Sequence, residues 1–237
     1  MILSVAAICD IGCKRSCNQD MILLHDVMFR DGIKQAEFNT EQRVIIALAD
    51  GVGGLARGEI ASEQVLKALS DFLMDISDNL SNEELNEVFN RYSTETHEAM
   101  NHKMGSTLVG LFLYNGKLFR YHAGDSRLYR MRHGYLERLT IDHSLRESGG
   151  QKNAPSNVIT NAIGGGSPAF IEFAEINLPF YDNDIYMLSS DGMHDLVPQS
   201  EISDAMKKTN PAQKLTDIAK SYGGKDNISV ITIKIES

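Results

Sequence analysis

Cysteine, basic charge and long apolar runs are all scarce in this 237-residue chain, and each scarcity excludes something. Three cysteines, Cys9, Cys13 and Cys17, exclude a disulfide framework, because the number is odd and the spacing tight. Their four-residue spacing would align them on one face of a helix and so invites a zinc reading. The segment reads instead as a strand running into a loop, and ordinary reduced thiols are the plainer expectation. Lys and Arg total 23 against 32 Asp and Glu, a net charge of -9. A nucleic-acid binder usually shows the opposite balance, so no DNA or RNA partner is expected. An acidic excess is also what remains when carboxylates meant for metal ions are counted without the metal. No apolar run approaches membrane-spanning length, so no membrane partner is expected. Met1 to Asp10 is apolar but short, lacks a basic leader and is interrupted by Asp10, so it does not read as a signal peptide. A cytoplasmic location is the resulting expectation. The length suits one large domain or two small ones. No linker, low-complexity tract or repeat divides the chain, and a single domain over 1–237 is expected.

Ile2 to Cys9 and Arg43 to Ala49 read as strands. Gly58 to Ser77 carries Val65, Leu69, Phe72 and Ile76 at the three-four spacing of an amphipathic helix. A second helix starts at Ser81, where Ser81 and Glu84 make a capping box, and runs through Leu85, Val88, Phe89, Tyr92 and Met100. Leu108 to Tyr114 and Lys117 to Ala123 flank Asn115-Gly116, a strong two-residue hairpin signal. Ser126 to Arg132 and Tyr135 to Thr140 follow around Gly134. Ser148 to Ser167 reads as loop, and Ile171 to Leu178 and Ile185 to Ser189 as strands. Two short helices come next, the second with Asn210 as cap, Pro211 at its first position and Gly223-Gly224 as its stop. Ile228 to Ile235 is a last strand. Strands and helices are segregated rather than alternating, which argues α+β: two antiparallel sheets packed together with helices outside, an α-β-β-α sandwich.

Three Asp-Gly pairs stand out: Asp31-Gly32, Asp50-Gly51 and Asp191-Gly192. The bland reading of each is a turn, and it is accepted for Asp31-Gly32. Asp50 and Asp191 each follow an apolar strand, where a rigid element can hold a side chain in place. Asp50 also leads into Gly51-Val52-Gly53-Gly54, a loop with little side chain to obstruct an ion. Asp226 precedes the last strand. Three carboxylates converging from strand ends repel one another unless a cation neutralises them, and hard divalent ions suit an all-oxygen site.

The motifs then fall in an order that resembles the metal-dependent, type 2C protein phosphatase family. They are Arg15-Ser16-Cys17-Asn18-Gln19-Asp20, Asp50-Gly51-Val52-Gly53-Gly54, Gly105-Ser106-Thr107, Gly124-Asp125-Ser126-Arg127, Asp142-His143-Ser144, Ile159 to Gly164, Ser189-Ser190-Asp191-Gly192 and Lys225-Asp226-Asn227-Ile228-Ser229. The resemblance implies hydrolysis of phosphoserine and phosphothreonine on proteins by a water held between two Mn²⁺ or Mg²⁺ ions. Asp50 would bridge the metals. The Gly51 carbonyl would complete one site, and Asp191 and Asp226 the other. Asp20 would hold water at the metals through hydrogen bonds. Arg15 would grip the substrate phosphate with its planar fork. Asp125, with Asp191, would hold a third, weaker ion. Bacterial-type members are the best match, so phosphoproteins and a bacterial Ser/Thr kinase are the implied partners.

Four departures from the family pattern bear on this. Gln19 replaces a glutamate, Val52 stands where many members carry a histidine that protonates the leaving group, Asn161 stands where many carry arginine, and the stretch from Arg146 to Asn157 is short for a substrate-side flap. His143 is nearby in motif terms, but a lone histidine is more often structural. No cysteine is read in a phosphate-loop context, so direct attack by water is expected. Two alternatives are weighed: an inactive regulatory or binding module, which should have lost a metal carboxylate, and a two-metal hydrolase of small phosphomonoesters.

Overall fold

The computed structural model describes residues 1–52, 57–100, 104–147, 150, 158–166 and 168–237. In chain order the elements are β1 (Ile2–Asp10), β2 (Asp20–Leu24), β3 (Val27–Phe29), β4 (Gly32–Asn39), β5 (Val44–Asp50), α1 (Gly58–Met74), α2 (Asn82–Ala99), β6 (Leu108–Tyr114), β7 (Lys117–Ala123), β8 (Arg127–Arg132), β9 (Tyr135–Arg138), β10 (Glu172–Glu175), β11 (Ile185–Ser189), α3 (Asp191–His194), α4 (Gln199–Met206), α5 (Pro211–Ser221) and β12 (Ile228–Glu236). Among the described residues they form two antiparallel sheets, ordered β4-β1-β12-β11-β8-β9 and β10-β7-β6-β5-β2-β3. The sheets pack face to face. The helices α1 and α2 cover the second sheet, and α3, α4 and α5 cover the first. This is the α-β-β-α sandwich the pattern argues for.

The layering explains why the central strands read as unbroken apolar runs. Along β5, Val44, Ile46 and Leu48 face the opposite sheet, whereas Ile45, Ala47 and Ala49 face the helices. A strand buried on both faces has no polar side to show. The helices, covered on one face only, keep the three-four stripe. The Ser81 capping box forms as expected, with the Glu84 amide donating to Ser81 Oγ and the Ser81 amide to Glu84. Asn115 and Gly116 both take positive φ, 51° and 71°, as the two-residue hairpin between β6 and β7 demands.

Some expectations are corrected. Asp31-Gly32 is not a hairpin turn: it lies where the chain leaves β3 of one sheet and enters β4 of the other. The strands β2, β3 and β4 escape the sequence pattern, because β2 is five residues buried throughout without alternation, β3 has three residues and β4 is an edge strand with mostly exposed positions. Asn210 occupies the N-cap of α5 in a left-handed conformation, but its side chain makes no capping hydrogen bond. The three cysteines do not form a ligand group, since Cys9 is buried and Cys13 and Cys17 are exposed. The loop readings at Gly53-Gly54, and most of the short segment from Arg146 to Asn157, lie outside the described residues.

Candidate active site

Asp20 opens β2 and Asp50 ends β5, and the two are direct cross-strand partners. Asp191 follows β11 through Ser190, and Asp226 precedes β12, the strand hydrogen-bonded to β11. The ends of both sheets therefore bring their carboxylates to one place. A cleft of about 280 Å³ opens there, lined by Asp50, Gly51, Asp125, Asp191 and Asp226 together with Arg15, Gln19, Val52, Thr107 and Ile159. Asp20 is not in the lining. It is fully buried just behind, beside Asp50.

Hydrogen bonds fix Asp50 and the loop that carries Arg15. The Asp50 carbonyl accepts from the Thr107 amide at 2.8 Å and from Ser106 Oγ at 2.9 Å, and the Asp50 amide donates to Thr107 Oγ1 at 3.0 Å. This is the physical content of the Gly-Ser-Thr block. Asn227 donates to the carbonyls of Ile11 and Cys17 and accepts the Gln19 amide at 2.8 Å, tying the Arg15 loop to the end of β12. The glycines of the Asp-Gly pairs divide by cause. Gly32 needs its conformation, φ +104°, and has nothing near where a side chain would stand. Gly51 and Gly192 need space: an added Cβ would lie 2.2 Å from the Gly58 carbonyl oxygen and 1.9 Å from that of Asn227.

The electrostatics are those of uncompensated like charge. Asp50 and Asp191 are hemmed in by protein around their carboxyl groups, and burial first, then the other aspartates, pushes both well above the ordinary carboxylate range. Burial raises Asp20 to about 6 against the pull of Ser229 and Ser190, and raises Asp125 to about 7 with Asp142 adding to it. One oxygen of Asp20 accepts from Ser190 Oγ at 2.8 Å, and the other, Oδ1, is buried with no hydrogen-bond partner. A buried carboxylate oxygen left bare is costly unless something positive completes it. Arg15 supplies one cation at the rim, its Nη2 2.6 Å from Asp226 Oδ2. The cleft lining holds carboxylates, a threonine hydroxyl and a backbone carbonyl, with neither thiol nor imidazole among the described residues. That donor set fits Mn²⁺ or Mg²⁺.

The residues given site roles from sequence, Arg15, Asp20, Asp50, Gly51, Asp125, Asp191 and Asp226, thus lie in or against one cleft. Ser190 and Thr107 were given no role from sequence. Ser190 acts on Asp20, 170 positions away, and no local signal announces such a bond. Val52 lines the cleft, so no imidazole stands at that position. Cys9 and Arg15 do have the Cys-x5-Arg spacing of a thiol phosphate loop, contrary to the reading above. The structure disposes of it: Cys9 Sγ is buried between Asn18 and Ser229, and burial pushes the thiol up. His143 is buried behind the cleft rather than in it.

The protein phosphatase 2C family pattern matches residues 26–209, leaving Arg15, Asp20 and Asp226 beyond its ends. Similarity to whole relatives reaches them. Protein phosphatase PhpP of Streptococcus pneumoniae serotype 2 is 29% identical over 255 residues, with 98% of each chain covered. The serine/threonine phosphatase of S. agalactiae superposes with a TM-score of 0.79 at 27% identity, covering 99% of this chain and 100% of that one. The catalytic domain of the serine/threonine protein phosphatase PstP, solved with 2 manganese ions, gives a TM-score of 0.74 at 26% identity over 100% of both chains.

Proposed function

We propose specific residue roles from the premise that this chain belongs to the protein phosphatase 2C family and is a two-metal protein serine/threonine phosphatase. Asp50, the Gly51 carbonyl, Asp191 and Asp226 would hold the two ions, with Asp50 shared between them, the Gly51 carbonyl serving one and Asp191 and Asp226 the other. Bound there, such ions would neutralise the carboxylates and lower the pKa of water in the cleft. The remaining work belongs to the protein. Arg15, exposed at the rim, swings its guanidinium between Asp226 and the phosphate oxygens of the substrate. A planar fork suits that exchange, since it can bind a carboxylate or a phosphate with paired hydrogen bonds. Asp20, with one oxygen on Ser190 and one bare, accepts hydrogen bonds from water at the floor. Asp125, in the same lining as Asp191, would hold a further and weaker ion.

The observation that carries this assignment is the bare, buried Asp20 oxygen beneath four more carboxylates. A fold has no reason to concentrate such charge except to hold cations there. Residues 1–237 act as one catalytic domain, supported by the pairing of β1 with β12, which joins both ends of the chain in one sheet. The natural counterpart is a bacterial Ser/Thr kinase. A cytoplasmic setting suits the free exposed thiols of Cys13 and Cys17. No described helix is long and apolar enough to cross a membrane.

Phosphate release from a phosphothreonine peptide, with Mn²⁺, with Mg²⁺ and with chelator, tests the assignment when run on the wild type and on Asp50→Asn, Asp191→Asn and Asp226→Asn. Activity should vanish in chelator and return with Mn²⁺, and each variant should lose it. Near wild-type turnover in any of the three would overturn the role given to that residue.

A further inference from the structure

His122 on β7, His143 after Asp142, and Glu172 on β10 meet behind the cleft, with one ligand-type atom of each within 4.8 Å of the others. Proximity of this kind invites a metal reading. The directions of the hydrogen bonds decide against it. The Gly124 amide donates to His143 Nδ1 at 3.1 Å. A backbone N–H can only donate, so Nδ1 is bare. Asn161 Nδ2 also approaches Nδ1, at 2.8 Å. Asn161 is fixed in that orientation, because its Oδ1 accepts the Phe170 amide at 3.2 Å and its Nδ2 donates to the Phe170 carbonyl at 2.9 Å. A neutral imidazole with Nδ1 bare carries its proton on Nε2, and Nε2 lies 3.2 Å from Glu172 Oε1. An ion at Nε2 would have to expel that proton or force one onto Nδ1 against two donors.

The same directions show what the ring does. His143 holds Gly124 from both sides: it accepts the Gly124 amide at Nδ1, and its own amide donates to the Gly124 carbonyl at 2.9 Å. Gly124 is the residue before Asp125 and takes a φ of +108°, with the Thr107 side chain closing its other side. A glycine in that conformation has no side chain of its own to anchor it. Thr107 is the residue that pins Asp50. The peptide that carries Asp125 is therefore clamped between the anchor of Asp50 and an imidazole whose tautomer is set by Glu172 and Asn161. Stacking of His143 on His122, with centroids 4.4 Å apart, and a tilted contact with Phe170 at 4.8 Å keep the ring plane in place. Asn161, one of this chain's departures from its family, is part of the device.

We infer that His143 is a positioning residue for Asp125, held in one tautomer by Glu172 and Asn161, and that through Gly124 it sets the affinity of the weaker ion. The inference rests on the assignment of that ion to Asp125. Residues that orient a ligand in this way are worth roughly 10–100-fold in metal affinity. Mn²⁺ binding to the whole protein is measured by titration calorimetry for the wild type, Asp125→Ala, His143→Phe and His143→Asn. Phenylalanine keeps the ring and its stacking but has no acceptor, whereas asparagine returns an acceptor near the Nδ1 position. Asp125→Ala should abolish the weakest binding step. His143→Phe should weaken that same step about 10–100-fold and leave the tighter steps in place, and His143→Asn should restore it. If His143→Phe does not fold, Glu172→Ala at its half-buried position should weaken the step in the same selective way. An unchanged isotherm for Asp125→Ala would overturn the ion assignment and this inference with it. A lost step in Asp125→Ala beside a wild-type isotherm in His143→Phe or Glu172→Ala, or equal weakening of every step, would overturn the positioning role alone.

Discussion

Asp20 and Asp184 are both fully buried carboxylates, 0% and 1% exposed, and they are treated in opposite ways. Asp184 precedes β11 at the far end of that strand from Asp191. Arg132 meets it with its fork, Nε at 3.0 and 2.9 Å and Nη2 at 2.5 Å from the carboxylate oxygens. Arg127 meets Asp142 likewise, with Nη2 at 2.6 Å. Asp20 has no arginine: serine hydroxyls pull on it, one oxygen, Oδ1, has no hydrogen-bond partner, and Asp50 is its cross-strand partner. Where the fold needs a buried carboxylate for structure, it brings an arginine. Where it brings more carboxylates instead, the missing charge must come from outside the chain.

Breaking each kind of carboxylate should therefore give opposite results. The largest effect is expected at the cleft. Asp50→Asn and Asp191→Asn should each lower kcat on a phosphothreonine peptide by orders of magnitude, while the metal-free protein keeps or raises its Tm because repulsion is relieved. A lowered metal-free Tm with intact turnover would erase the distinction. Arg132→Ala should do the reverse. It leaves Asp184 buried and unpaired, which costs about 3 kcal/mol by urea unfolding, and kcat/KM should stay at the wild-type value under conditions where the variant is folded.

The pH dependence of stability sharpens the same contrast. Asp20 and Asp125 are raised to about 6 and about 7, above the value of an unfolded aspartate near 4. Between those values the folded, metal-free protein binds more protons than the unfolded chain, so its stability falls as pH rises from about 4 to about 7. Metal binding needs the deprotonated carboxylates, so the Tm gained on adding Mn²⁺ should grow over the same range. A metal-free Tm that climbs between pH 5 and 7 would show these groups to be compensated after all. A smaller effect is expected from Arg15→Ala, which should raise KM by tenfold or more, consistent with about 1.5–3 kcal/mol for a charge-assisted hydrogen bond. Unchanged KM on both a peptide and an aryl phosphate would return Arg15 to the role of a surface partner of Asp226. The smallest is Ser190→Ala, which removes one hydrogen bond from Asp20 and should cost about 1 kcal/mol.

Much of this was readable in the chain itself, for reasons that are local. The two-faced burial of β5 leaves an unbroken apolar run ending at Asp50, and the Ser81 capping box and the Asn115-Gly116 turn are set by their own residues. The order of the motif blocks named the family and, through it, the aspartates. What the sequence did not show was short, like β3, exposed at an edge, like β4, or, like β2, a brief run buried throughout with no alternation to mark it.

Tertiary structure decided everything that depends on approach between distant segments. Asp31-Gly32, Asp50-Gly51 and Asp191-Gly192 look alike as dipeptides, yet only the packing shows that one glycine is kept for its φ and the other two for want of space against Gly58 and Asn227. Cys9 and Arg15 share a phosphate-loop spacing that the burial of the thiol makes meaningless. The bond from Ser190 to Asp20 and the clamp of His143 on Gly124 join residues 170 and 19 positions apart. Residue type and order are enough to say which groups can do the chemistry, because charge and hydrogen-bonding capacity belong to the side chain. Which of them is left bare, paired or protonated depends on what surrounds it, and that exists only once both sheets have closed on each other.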